Sequence, residues 1–268
     1  MRSYKDKKGI VIISLLCFGV IVIALELTNL RLLKDAKQNQ WLLDSVQQLA
    51  GGCLLLSLLG YLNIRLFDKP QNIVYIIPAL LIAINNFPFL SYFAGNMQFT
   101  SITLQNVLLF LIYCFSIAFF EELAFRGILF SALLEVFKNN KNKLLKTYIV
   151  SSVIFGFCHI LNAFEGGIYA TLRQILYSIL TGGLFAYVLI KTKNILCCIL
   201  IHGLYNFNGL LLSKQGLGAG VVFDAPTVII MAIIALIVGI FVLYSVVRCD
   251  TTEKAVLYQR LGVKTRKK

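Results

Sequence analysis

The stretch PQNIVYIIPALLIAINNFPFLSYFAGNMQFTSITLQNVLLFLIYCFSIAFF, residues 70–120, contains no Asp, Glu, Lys or Arg. No water-exposed globular surface can be built from such a run, whereas one helical crossing of a bilayer needs about 20 apolar residues. The rest of the chain repeats the pattern. Its 268 residues are 59% hydrophobic and 14% charged, with a mean hydropathy of +0.82, which excludes a soluble enzyme. Strands of an outer-membrane barrel alternate apolar and polar side chains over about ten residues, and these runs are apolar on every face, so the crossings are helical.

Working outward from 70–120, the charged positions mark about eight spans, at roughly residues 9–27, 45–64, 73–93, 103–130, 147–163, 168–190, 194–213 and 226–247. The uncharged segment 95–101 divides the third from the fourth, because one helix over both would far exceed the ~30 Å hydrocarbon core. The fold class is therefore all-α, a polytopic integral membrane protein. Residues 1–268 read as a single membrane-embedded domain, with no repeat, linker or low-complexity segment. The first span is not followed by a small-residue cleavage site before Glu26, so it reads as a helix and not as a signal peptide.

Cytoplasmic loops retain Lys and Arg. With the N-terminus inside, Arg2, Lys5, Lys7, Lys8, Arg65, Lys69, the loop Lys138 to Lys146, Lys191, Lys193 and the tail from Arg248 to Lys268 fall on the cytoplasmic face. That is nineteen basic residues, against Arg31, Lys34, Lys37 and Lys214 outside, so both termini are expected in the cytoplasm. The same topology accounts for the net charge of +13 without nucleic acid, for which no recognition motif is present. The partner of the basic tail is instead membrane lipid, each basic side chain near anionic headgroups being worth about 1 kcal/mol. Lys-, Ile- and Asn-rich usage points to an AT-rich bacterial source and hence to a bacterial plasma membrane.

The seven cysteines are an odd set without extracellular pairs or a Cys-x-x-Cys spacing, and they read as small buried apolar residues. Cys158 adjoins His159, but neighbouring helix positions point about 100° apart, which argues against a shared metal.

Ionisable side chains inside spans are costly and mark a functional interior. In Phe119-Phe120-Glu121-Glu122-Leu123-Ala124-Phe125-Arg126-Gly127, Glu122 and Arg126 are one turn apart on the same face, and Glu121 points about a quarter-turn away. Two carboxylates with one guanidinium leave one Glu held and the other free to exchange a proton or bind a cation. Both histidines of the chain also lie in spans. His159 shares a small, polar stripe with Ser152, Phe155, Gly156 and Asn162, and His202 stacks one turn from Asn206. Arg173, Gln174, Tyr177, Ser178 and Thr181 add a polar edge on the sixth span. Taken singly, a buried His is more often packed than catalytic, and an Arg–Glu pair is as often structural glue. Two Glu, two His and an Asn on three helices are nonetheless the minimum set for hydrolysing an amide.

In the order Glu121-Glu122-x-x-x-Arg126, Phe155-x-x-x-His159 and His202-x-x-x-Asn206, these strings resemble the motifs of the CAAX protease and bacteriocin-processing family, also called Abi, of intramembrane endopeptidases. The likeness covers about residues 115–210, within a motif-bearing core of about 103–213. It implies cleavage of a peptide bond in a lipidated CAAX-type protein or a bacteriocin- or pheromone-like peptide, or a part in immunity to such peptides. By the resemblance, Glu121, Glu122 and His159 activate water, His202 and Asn206 stabilise the oxyanion, and Arg126 orients the carboxylates. It leaves open whether a divalent ion such as zinc, on Glu121, Glu122, His159 and His202, takes part.

Other intramembrane protease chemistries do not fit. Every Asp lies at a span end or in a loop, no Ser adjoins a Gly, and His-Glu-x-x-His cannot be assembled from histidines 43 positions apart. Two other classes stay open: a non-catalytic immunity or scaffold protein of the same fold, and an ion-coupled transporter or haem protein. Transporters tend to carry inverted repeats and broken helices, and a haem site would leave the Glu pair unexplained.

Overall fold

The computed structural model describes residues 4–28, 30–100, 102–162, 167–220 and 225–263, and is mostly helical with little strand. Arg2, Lys264, Arg266, Lys267 and Lys268, counted above toward the cytoplasmic face, lie outside the described residues.

Of the eight spans the sequence marks, six are helical stretches long and apolar enough to cross a membrane: Ala36–Leu62, Ile73–Phe93, Leu104–Val136, Lys143–Ile160, Thr171–Thr192 and Ala225–Val247. The other two are shorter apolar stretches, Ile12–Leu25 within α1 (Tyr4–Thr28) and Ile195–Leu210. The latter is limited by its caps: Asn194 starts it by accepting the Cys197 N–H at 3.1 Å, and the chain turns after Leu210. At 1.5 Å per residue it is several ångströms short of the ~30 Å core.

In chain order, α2 is Ala36–Leu62, α3 Ile77–Asn85 and α4 Phe89–Phe93. α5, Leu104–Glu122, is capped by Thr103, whose hydroxyl accepts the Asn106 N–H at 3.1 Å. It runs through a π-helical segment, Leu123–Leu129, into α6, Phe130–Val136. α7 (Lys143–Phe157) ends in a 3₁₀ turn, Cys158–Asn162. A corner at Lys193 (φ 52°) and Asn194 joins α8 (Ile168–Thr192) to α9 (Ile195–Leu210); α10 (Ala225–Val247) and a short α11 (Thr251–Arg260) follow. Among the described residues, the uncharged 95–101 segment and the loop after α9 hold the one departure from an all-helical fold. Met97–Phe99 (β1) pairs antiparallel with Gly218–Gly220 (β2), satisfying backbone groups that leave the helices there.

Glycines set the tightest packing. A Cβ at Gly156 of α7 would approach the α8 backbone, at 2.8 Å from Ile175 O and 3.0 Å from Ile179 N, and one at Gly182 of α8 would reach Ser152 Cα at 3.3 Å. Small residues at such crossings let membrane helices approach closely. Four cysteines are buried as read from the sequence, but Cys17, Cys53 and Cys158 are exposed.

The two ends of the bundle differ in charge. One end gathers Arg65, Lys69, the loop before α7, Lys191, Lys193 and α11. There Arg260 donates to Lys193 O at 2.8 Å and to Lys69 O at 3.1 Å, tying the corner between α8 and α9 to the loop after α2. At the opposite end, Trp41 Nε1 donates to Gln215 O at 3.0 Å and Lys37 Nζ to Gly216 O at 2.7 Å.

At the basic end Lys191 pairs with Glu253 at 2.9 Å. Burial alone would push the Glu253 carboxyl up; hydrogen bonds from Cys249 and Lys191 and the charges of Lys191 and Lys193 outweigh it and hold the group below the usual carboxylate range. A carboxyl lowered on folding stabilises the fold above its unfolded pKa, and that contribution is lost as pH falls through the lower folded value. Glu253→Gln should therefore lose thermal stability at neutral pH and none at strongly acidic pH, measured by melting in detergent across that range.

Candidate active site

Glu122 ends α5 with its side chain fully buried, at 0% exposure. Its Oε1 lies 3.1 Å from Arg126 Nη1 and 2.7 Å from His202 Nδ1. A carboxylate only accepts, so Nδ1 of His202 carries the proton and donates. The Arg126 contact lies off the hydrogen-bond direction and acts through charge, since Nη1 has no aligned partner among the described residues; Nη2 donates to Gly182 O of α8 at 2.9 Å. The guanidinium also stands 4.4 Å from the Phe155 ring centre and 5.3 Å from that of Phe185. Arg126 thus ties α5, α7 and α8 together around one carboxylate, an arrangement worth more where water is excluded.

The backbone around this pair is not a plain α-helix. After Glu122 the hydrogen bonds lengthen to the i→i+5 pattern, Phe130 N–H bonding Phe125 O, and Arg126 sits inside that segment. Such segments cluster at functional sites.

Glu121 is half-buried and faces a different way. Its Oε2 is 3.7 Å from His202 Nε2, so the imidazole stands between the two carboxylates, its Nδ1 on the buried one and its Nε2 toward the accessible one. Phe185 stacks on His202 with ring centres 4.5 Å apart and 21° between planes, fixing the ring orientation.

His159 lies beyond the last α-helical residue of α7, in the 3₁₀ turn, so the helical stripe drawn from Ser152 to Asn162 does not continue unbroken. Phe155 contacts it edge-on at 5.6 Å and reaches His202 at 6.0 Å. Gln174 Nε2 lies 3.4 Å from His159 Nδ1, and Asn162 Nδ2 donates to Gln174 Oε1 at 3.0 Å. With its oxygen engaged, Gln174 presents N–H to Nδ1, which leaves the proton of a neutral His159 on Nε2. The polar edge of the sixth span signalled Gln174, but nothing in the sequence joined it to His159.

Glu121, His159, His202 and Asn206 all line one cavity of about 790 Å³, together with Gln174, Tyr177 and Thr181. Glu122 and Arg126 do not; they lie behind its wall. An apolar cleft of about 770 Å³ beside α10 borders this cavity and shares Arg173, Tyr177, Thr181 and Met231 with it.

The four ligands the sequence offers for a metal come near one another but are not arranged to hold an ion. No three His, Cys, Asp or Glu side chains are grouped to hold an ion among the described residues, and Glu122 already spends one oxygen on Arg126 and His202. A catalytic zinc takes three protein ligands, and Glu121 with His202 supplies two. The arrangement does not fit such a site.

Fold and site together define a helical integral membrane protein with a carboxylate–imidazole centre in an intrabundle cavity. Residues 103–208, the stretch that carries the three motifs, match the family model described as type II CAAX prenyl endopeptidase Rce1-like, in keeping with the CAAX protease and bacteriocin-processing family that the motifs resemble. No curated protein and no solved structure matches the chain significantly.

Proposed function

We propose that the protein is an intramembrane endopeptidase, which hydrolyses a peptide bond of a membrane-associated CAAX-type protein or bacteriocin- or pheromone-like peptide. The observation that carries this reading is the cavity in which Glu121, His159, His202 and Asn206 meet from three elements. Glu121 takes a proton from a water that His159 orients through Nε2–H. The water oxygen bonds the scissile carbonyl carbon. The oxyanion is met by the Asn206 carboxamide and, when both ring nitrogens carry protons, by His202 Nε2–H. The proton held on Glu121 then passes to the leaving amine as the C–N bond breaks. Glu122 and Arg126 act on this chemistry through His202, by holding its Nδ1 proton. The neighbouring apolar cleft accepts the substrate's membrane-embedded stretch. The family resemblance and the bacterial character of the composition support a plasma-membrane protein with both termini in the cytoplasm and a core of about residues 103–213.

The test is accumulation of uncleaved precursor peptide in cells carrying Glu121→Gln or His159→Ala at normal protein level. Full complementation by both variants would replace proteolysis by a scaffold or immunity role.

Gln174 should matter as a positioning residue. Removing its hydrogen bond in Gln174→Ala costs about 0.5–1.5 kcal/mol, a loss in rate of up to roughly tenfold. Gln174→Glu, which favours the Nδ1–H tautomer, should in addition displace the pH–rate profile, a readout that a purely structural role leaves unchanged.

A further inference from the structure

The mouth of the cavity and the positive charge of the chain lie at opposite ends of the bundle. The lining nearest to a helix end is Asn162, closing the turn after α7; Arg173 and Gln174, in the second turn of α8; Leu210, the last residue of α9; and Gln215 in the loop beyond. These positions share one end, where Gln215 also meets Trp41 at the start of α2. The other ends of the same helices carry Lys143, Lys146, Lys191 and Lys193. Toward that end the way is shut. Arg126 stands by Phe155 and Phe185, Glu122 is sealed beneath them, and every side chain from Phe185 to Ile190 is buried to 1% or less. A peptide coming from the basic end would have to draw its polar backbone through this apolar layer, where each unsatisfied group costs several kcal/mol.

Basic loops stay in the cytoplasm. We infer that the cavity opens to the extracytoplasmic side, and that the polypeptide cut in it arrives from that side, as an exported peptide or the exported part of a membrane-anchored chain. The direction of opening rests on the proposed topology, and the nature of the substrate also on the proteolytic reading. The basic residues of the open end, Arg31, Lys34, Lys37 and Lys214, are compatible with this placement, because four outside against nineteen inside preserve the bias.

The experiment is thiol accessibility in the full-length protein expressed in a bacterial host, with the exposed Cys17, Cys53 and Cys158 replaced by Ser. Single cysteines are introduced as Lys214→Cys at the open end, Lys138→Cys at the basic end and Gln174→Cys in the cavity wall. A membrane-impermeant maleimide should label K214C and Q174C in intact cells, and K138C only in inverted vesicles. Labelling of K138C in intact cells would overturn the orientation. Labelling of Q174C from the cytoplasmic face alone would overturn the direction of opening. Labelling of Q174C from neither face, with normal labelling after denaturation, would also overturn it. No arm depends on cleavage, so proteolysis stands or falls separately on the Glu121 and His159 variants.

Discussion

Glu121→Gln should abolish cleavage while leaving the protein folded. The substitution keeps size and hydrogen bonding but removes the one carboxylate among the described residues that faces the cavity, and a general base contributes about 10²–10⁴-fold in rate. Glu121 is half-buried and lies 3.7 Å from His202 Nε2, beyond hydrogen-bond distance, so the change disturbs no tightly packed ion pair. Glu122→Gln should lose activity by a different route. It weakens the hold on His202 and leaves Arg126, 2% exposed, without its counter-charge. Removing one partner of a buried pair costs about 3–5 kcal/mol. Immunoblot level and melting temperature in detergent separate the two: normal for E121Q, reduced for E122Q. An E121Q protein of normal stability that still cleaves would move the base elsewhere.

Gly156→Val should separate α7 from α8. Even the first added carbon meets backbone, Ile175 O at 2.8 Å, where no side chain can swing aside. Overpacking of this kind costs about 1–3 kcal/mol, and more where backbone has to move. His159 follows Gly156 by three residues and its partner Gln174 is on α8, so activity should fall with stability. Gly239→Ala in α10 is the control, because a Cβ there meets nothing within 4 Å. Thermal unfolding of the two variants in detergent checks the contrast; equal melting temperatures would mean that the α7–α8 approach is looser than described.

Much of this arrangement is legible in the sequence because bilayers impose length and polarity on each crossing. The charge-free 70–120 stretch divides into its two spans close to the expected places, and of the ionisable residues left in spans Glu121, His159 and His202 line the cavity while Glu122 and Arg126 lie behind its wall. What the sequence hides comes from contacts between helices. That Arg126 holds one of the two glutamates is legible from their one-turn spacing, but not that Arg126 also reaches Gly182 O on α8 and that His202 approaches Glu122 from α9. The stacking of Phe185 on His202 joins residues of two helices, a contact that no pattern within either helix announces. Likewise the pairing of β1 with β2 joins segments more than a hundred residues apart, and a three-residue strand of Gly-Ala-Gly carries no periodicity to announce it.

The π-helical segment between Glu122 and Phe130 gives the motif helix a phase offset. Removing one residue from 123–129 would let the segment relax to regular α geometry, yet everything downstream would turn by about 100° relative to the carboxylates. The stretch therefore works as a frame-sensitive joint: apart from Arg126, side chains within it can be exchanged for others of similar size, but its residue count is fixed by two surfaces at once, the cavity wall upstream and the packed face of α6 downstream. Insertions and deletions tolerated in the loops at either end of this helix should be rejected here, and a deletion of Ala124 should be more damaging than the substitution Ala124→Ser at the same position.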